Sequence, residues 1–301
     1  MTARRFKHLL DAAIGASAIG TLHTIKRMDR KRSADFAGAL MRRIGPRRNE
    51  HRLGRENLRA AFPEKSDAEI ETILAGVWDN LGRVAAEFAH LDEFQIEGCG
   101  PTTPNTVRLS PETLERAARY KQTGRPAIAF ASHLANWEIS ALAVKLYGAK
   151  SAVLYRRPNI AGIGNVVTRL REPLMGELVR TSLDAPVRLA RLLQSGVHVG
   201  MLVDQHYSKG VPVTFFGRQC LANPLVAVLA RQTECPIHGM RVVRLPDGNS
   251  FWGEVTEAIE PPRDADGRIN VAGTMQAITS VVEAWVREHP EQWLWLHRRW
   301  R

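Results

Sequence analysis

Ala127-Ile-Ala-Phe-Ala-Ser132, followed directly by His133-Leu-Ala-Asn-Trp-Glu138, is the stretch that decides how the chain folds. Its first half is an apolar run led in by the turn Thr123-Gly-Arg-Pro126, the pattern of a buried strand. The run ends in a histidine. Asn136 then offers a side chain suited to capping a helix, which continues through Leu142, Val144 and Leu146 to Gly148. Residues five apart on a regular helix point about 140° away from each other. His133 and Glu138 can therefore meet only if His133 sits in the turn and Glu138 in the first helical turn. A base leaving a strand end, with a carboxylate orienting it, suits activation of a hydroxyl for acyl transfer.

Working outward, strands and helices alternate. A helix from about residue 67 to 89 places Ile70, Leu74, Val77, Leu81, Val84 and Phe88 at helical spacing as core positions, with Ser66 or Asp67 as its cap and Glu87 on its rim. A short strand at 107–109 and a helix near 111–120 precede the opening strand. Strands are expected at 151–155, 197–203, 236–244 and 250–259, and 211–217 is extended. Helices are expected at 160–172, 187–195 (capped by Asp184), 223–233 and 271–288. This alternation predicts an α/β fold, a mainly parallel central sheet flanked by helices, with a helical N-terminal extension. Three apolar strands end in polar groups: His133, Arg156 and Asp204. Open α/β sheets place their sites at the carboxyl ends of their strands.

With 301 residues and 44% apolar content, the chain can bury a sizeable core. Its net charge of +11 favours an anionic partner. Cys99, Cys220 and Cys235 are scattered without CxxC spacing, so neither a zinc site nor a disulfide framework is indicated, and a reducing environment is the default. Residues 1–55 are basic and enclose the apolar stretch Leu9–Leu22, which falls short of a membrane span and is interrupted by Asp11. The segment reads as a membrane-associating helix at an anionic lipid surface, or as a core-facing helix with a solvated basic face. Residues 56–301 then form the second unit. The phosphate-loop, HExxH and GxSxG patterns are absent. No nucleic-acid reader motif accompanies the charge, so nucleic acid is not the expected partner.

Several blocks carry a resemblance. Ser-His133-Leu-Ala-Asn-Trp-Glu138 resembles the HX4(D/E) signature of glycerolipid-type acyltransferases, and most of all the bacterial lipid A biosynthesis late acyltransferases, the lauroyl and myristoyl transferases. Asn57-Leu-x-x-Ala-Phe-Pro63 is similar to that family's N-terminal signature. Tyr155-Arg156 with Asn159 resembles its second block. Asp204-Gln205, Gly210-Val211-x-Val213 and Phe215-Phe-Gly217 resemble its third. Pro290-Glu-Gln-Trp-Leu-Trp-x-His-Arg-Arg-Trp300 resembles its C-terminus. HX4E alone is weak; five blocks in order are strong.

The resemblance implies transfer of a fatty acyl chain from acyl carrier protein to a hydroxyl of a lipid A precursor (Kdo-lipid IVA type), at the cytoplasmic face of the inner membrane. His133 would be the general base and Glu138 its orienting partner, with no metal or organic cofactor. Arg156, Arg157, Arg169 and Arg171 are candidates for binding phosphate or carboxylate, since guanidinium forks pair with such groups. Arg171 and Asp204 match polar positions that the family relies on, and Asp204 could instead partner one of the arginines. The oxyanion would be met by backbone N–H groups at the start of the 136–147 helix and by an arginine. The expected partners are acyl carrier protein, an anionic glycolipid acceptor and a membrane surface. Two other readings stay open: an acyltransferase for another membrane glycolipid or a lysophospholipid, and a non-catalytic membrane-associated binding protein of the same fold.

Overall fold

The structure, a computed structural model, describes residues 3–97, 106–146, 148–156 and 161–300. Four helices come first: α1 (Ala3–Lys26), α2 (Arg30–Ile44), α3 (Asn49–Ala61) and α4 (Asp67–Glu87). Next come β1 (Val107–Leu109), α5 (Pro111–Thr123), β2 (Ile128–Ala131), α6 (Glu138–Leu146), β3 (Ser151–Tyr155), α7 (Ala161–Met175), β4 (Glu177–Arg180) and α8 (Ala185–Gln194). The remainder is β5 (His198–Leu202), β6 (Val211–Phe215), β7 (Arg218–Ala222), α9 (Leu225–Thr233), β8 (Ile237–Arg244), β9 (Phe251–Ala258) and α10 (Val271–Glu288).

Seven strands form one sheet in the order β1-β9-β8-β2-β5-β3-β4. The five from β8 to β4 run parallel, and β9 turns back antiparallel to β8 through a hairpin. The mainly parallel α/β sheet is as the alternation predicts. Buried side chains of α8, α9 and α10 pack on one face, where Phe130 stacks on Trp285 at 5.7 Å and 18°. Gly239 permits this contact, because a Cβ there would come within 2.8 Å of both rings. On the other face, α6 buries Ile139 and Leu142.

Two strands escape the sequence reading. Edge strand β4 has a single buried residue, Val179, so it carries no apolar signal. The stretch read as one extended segment at 211–217 is the first arm of the antiparallel β6–β7 hairpin. Its two-residue loop, Phe216-Gly217, has φ of 52° and 67°, the paired left-handed conformation that suits strand twist.

The N-terminal helices are docked on the sheet domain. Ser66 and Glu69 close a capping box on α4, whose Ile70, Leu74, Val77 and Trp78 are core. Leu81 and Phe88 are only partly buried. Glu87, expected on the rim, is fully buried and paired with Arg244. Asp184 occupies the N-cap position of α8 but makes no cap bond; Pro186 supplies the first-turn geometry instead. Trp293 and Trp295 are fully buried and Trp300 partly so. They join Phe62, Phe215 and Phe216 in one aromatic cluster, with Trp293 and Trp295 at 4.7 Å and Phe62 and Phe216 at 5.3 Å. Asn57 secures it by donating to the carbonyls of Trp295 and His297 at 2.9 and 3.0 Å. No described helix is long and apolar enough to cross a membrane.

Candidate active site

β2 and β5 are adjacent and parallel, with Ala131 opposite Leu202, so the loops leaving their carboxyl ends emerge side by side. His133 lies just past β2 and Asp204 just past β5. His133 Nδ1 donates to Asp204 Oδ1 at 2.8 Å, and the His133 backbone N–H donates to Oδ2 at 2.8 Å. Trp293 Nε1 adds a third donor to the same carboxylate at 2.8 Å. A carboxylate can only accept, so Nδ1 carries a proton, and in the neutral ring Nε2 keeps its lone pair. The Gln205 amide lies 3.4 Å from Nε2.

Asp204 is fully buried, which alone would raise its pKa. The charge and hydrogen bonds of His133, with His297 close by, outweigh burial and hold the carboxyl far below the usual carboxylate range. His297 donates Nδ1–H to the Leu294 carbonyl, and burial keeps its ring below the ordinary histidine value.

Glu138 does not orient His133. It is the first residue of α6, as expected, but its carboxylate turns to α7, where Arg171 Nε donates to Oε2 at 2.8 Å and Nη2 to Oε1. Trp137 Nε1 donates to Oε1 at 3.0 Å. The reason is the turn itself: His133 leaves β2 toward β5, whereas Glu138 lies on a helix facing α7. The strand-end residue Asp204 takes the orienting place instead. Arg171 is accordingly held by Glu138, and both line the same cleft as His133.

The turn between His133 and Glu138 is built by distant parts of the chain. Ala135 has φ of 46°, a conformation that costs a residue with a Cβ about 1–2 kcal/mol. Its N–H is held by the Gln292 carbonyl at 2.9 Å and its carbonyl by Asn80 Nδ2 at 3.1 Å. Leu294 N–H binds the His133 carbonyl at 3.1 Å. Asn136, two residues before α6, accepts the Glu138 N–H at Oδ1 and donates Nδ2 to Glu87 at 2.9 Å. Glu87 is gripped by both Nη atoms of Arg244, whose Nε reaches Asn80 Oδ1 at 3.0 Å. Four buried polar residues (Asn80, Glu87, Arg244 and Gln292) thus fix a strained turn, and no local sequence pattern announces them.

His133 opens onto a cleft of about 790 Å³ between the sheet and helices α6 and α7. The sheet face lining it carries small residues. Ala129, Gly200 and Val153 lie in register across β2, β5 and β3. A Cβ added at Gly200 would meet nothing within 4 Å. A second, apolar pocket of about 290 Å³ continues beneath α6, and Ala129, Ser140, Val144, His198 and Met240 line both. Within it Tyr120 donates to His238 Nε2, and His198 faces the Tyr120 ring.

Arg156 lies just past β3 at the cleft mouth and is exposed. Arg180, which sequence reasoning missed along with its strand, lies on the neighbouring strand opposite Tyr155 and also lines the mouth. Arg169 is exposed on α7 and does not line the cleft. Arg157 and Asn159 lie outside the described residues. Asp204 was legible as a strand-end polar group. Its pairing was not, because strand order cannot be read from the linear chain.

A histidine with a fixed tautomer, its free nitrogen turned to a cleft that leads into an apolar pocket, can take a proton from a hydroxyl beside a long hydrocarbon chain. Among curated proteins, no relative matches the chain. The family model described as bacterial lipid A biosynthesis acyltransferase matches residues 4–301, essentially the whole length. Site geometry and family match meet in one conclusion, that the chain belongs to the bacterial lipid A biosynthesis acyltransferase family and is an acyltransferase.

Proposed function

We propose that the protein moves a fatty acyl chain from acyl carrier protein to a hydroxyl of a phosphorylated lipid A precursor of the Kdo-lipid IVA type, with His133 as general base and Asp204 as its orienting partner. The observation that carries this reading is the His133–Asp204 pair at the head of a cleft that runs into an apolar pocket. His133 Nε2 takes the acceptor's proton as its oxygen attacks the thioester carbonyl. The buried Asp204 carboxylate stabilises the imidazolium that forms. The tetrahedral oxyanion collapses, the carbon–sulfur bond breaks, and the imidazolium returns its proton to the carrier's thiolate. The new bond is an oxygen ester.

Glu138 has a changed role in this scheme: it holds Arg171 at the cleft. The remaining N–H donors of Arg171 and the start of α6 are positive groups suited to the oxyanion. Arg156, with Arg157 next to it in sequence, would meet phosphate on the acceptor. The apolar pocket beneath α6 would receive the donor chain. A place at the cytoplasmic face of the inner membrane is supported by α2, which exposes Phe36, Leu40 and Ile44 one turn apart beside exposed Arg32 and Arg43.

The test is transfer by the purified chain from a panel of acyl carrier protein thioesters to a purified lipid A precursor, read by mass spectrometry. One added acyl chain is expected, and none with His133→Ala. Product from acyl-coenzyme A but not from the carrier would replace the donor. Product only with a lysophospholipid would replace the acceptor.

A further inference from the structure

We propose that the β4–α8 connection is a membrane-docking wedge that seats the cleft mouth in an anionic lipid interface, with Leu183 and Val187 entering the apolar layer and Arg156 and Arg180 meeting phosphates. The proposal rests on the reading that the acceptor is a membrane glycolipid, because such an acceptor must reach the cleft without leaving the bilayer.

Leu183 is 102% exposed, the most exposed large apolar residue described, and Val187 in the first turn of α8 is 56% exposed. Single exposed apolar residues are ordinary and need no explanation. These two are not isolated. Arg180 and Thr181, immediately before them, line the cleft. Leu202 and Tyr207, both partly exposed at 37% and 39%, line it from the β5 side. Leu202 and Tyr207 thus expose apolar surface in the cleft, and Leu183 and Val187 expose it on the connection that follows the cleft-lining Arg180 and Thr181.

Leu183 is held outward by a defined turn. Thr181 N–H donates to the Tyr155 carbonyl at 3.0 Å, Ser182 Oγ to the Arg180 carbonyl at 3.1 Å, and Ala185 N–H to the Ser182 carbonyl at 3.4 Å. Val187 is not needed for packing, since α8 buries Ala185, Leu189 and Leu193 on its other side. Arg156 and Arg180 stand on adjacent strand ends, exposed and without an ion-pair partner among the described residues. Arg188, by contrast, is paired with Glu177.

An apolar tip with cations set back on the strand ends matches the layering of a bilayer, where hydrocarbon lies beneath phosphate. An acidic carrier protein would want its cations in front.

Hydrogen–deuterium exchange of the full chain tests this without labels. Ser182, Leu183 and Asp184 N–H groups make no backbone hydrogen bond among the described residues and should exchange fast. Vesicles of phosphatidylglycerol and phosphatidylcholine should slow exchange in the 181–187 peptide severalfold. The carrier protein alone should leave it unchanged. Leu183→Asp with Val187→Asp should abolish the slowing without shifting Tm, since both side chains are exposed. If the protein floats with the vesicles yet the peptide stays unprotected, or if the carrier protects it without lipid, the wedge is wrong. Absence of transfer to the lipid A precursor with the protection intact would instead overturn the proposed acceptor and leave the wedge standing.

Discussion

At the residue scale, the proposed chemistry centres on a histidine whose hydrogen-bond partner comes from another strand. Asp204→Asn keeps the shape but offers an amide that can donate to Nδ1 and select the wrong tautomer. It should lower kcat by about 10⁴, the loss seen when a triad aspartate is made asparagine. Glu138→Gln should act differently, weakening the grip on Arg171 while His133 stays oriented. The two variants separate in one experiment: Asp204→Asn should alter the kcat pH profile and Glu138→Gln should leave its form unchanged. Matching profiles would return Glu138 to the orienting role. Gly200 gives a third residue-scale prediction. Its Cβ position opens into the cleft, so Gly200→Leu should shift donor preference to shorter acyl chains with little loss of stability. An unchanged chain-length profile would place the chain elsewhere. His133 was legible because an apolar run stops dead at it. Asp204 was legible only as a strand-end polar group, since adjacency of β2 and β5 is a property of the fold.

At the element scale, the central unit is the turn between β2 and α6. It stores a left-handed Ala135 and is held by Asn80, Glu87, Arg244 and Gln292. Removing one member of a buried ion pair costs about 3–5 kcal/mol, because the other charge is left without a counterion. Arg244→Met should therefore destabilise the chain by that amount in denaturant titration and lower activity through a misplaced His133. A loss under about 1 kcal/mol would show that Glu87 finds another partner or takes up a proton. These residues sit in α4, at the end of β8 and in the C-terminal tail, so the sequence offered no spacing to link them. Long periodic elements such as α4 and α10 were readable because their apolar stripes repeat. Edge strand β4 and hairpin arm β7 were not, for want of an apolar pattern and because a two-residue turn passed for extended chain.

At the scale of the whole molecule, His238, which is buried, and His198 and His297, which are partly buried, make stability sensitive to mild acid. Burial lowers the pKa of His198, His238 and His297 below the ordinary histidine value of 6.5. The unfolded chain therefore binds more protons than the folded one once pH falls to that value. Stability is lost as pH drops through and below it, well before ordinary carboxylates titrate. Tm should fall as the pH is lowered from just above neutrality into the mildly acid range, and a flat Tm across that interval would contradict the burial of these rings. The same scale explains why the family-like blocks are spread so widely along the chain. Asn57 and Phe62, Phe215 and Phe216, and Trp293 to Trp300 converge on one aromatic cluster, and its Trp293 holds Asp204. Most of what resembles a catalytic signature is scaffolding for one carboxylate.

That convergence has a consequence for biosynthesis. Asn57 waits for a carbonyl 238 residues downstream, and the His133 turn waits for Gln292 and Leu294. At roughly 5–20 residues per second, about 10–50 s of translation separate the two halves of that first contact. From the synthesis of His133 until residues 292–294 emerge, the nascent chain has the histidine but no settled turn to aim it. The proposed base is therefore aimed only after residues 292–294 are made, and a ribosome stalled before residue 292 would carry a His133 turn without its Gln292 and Leu294 contacts.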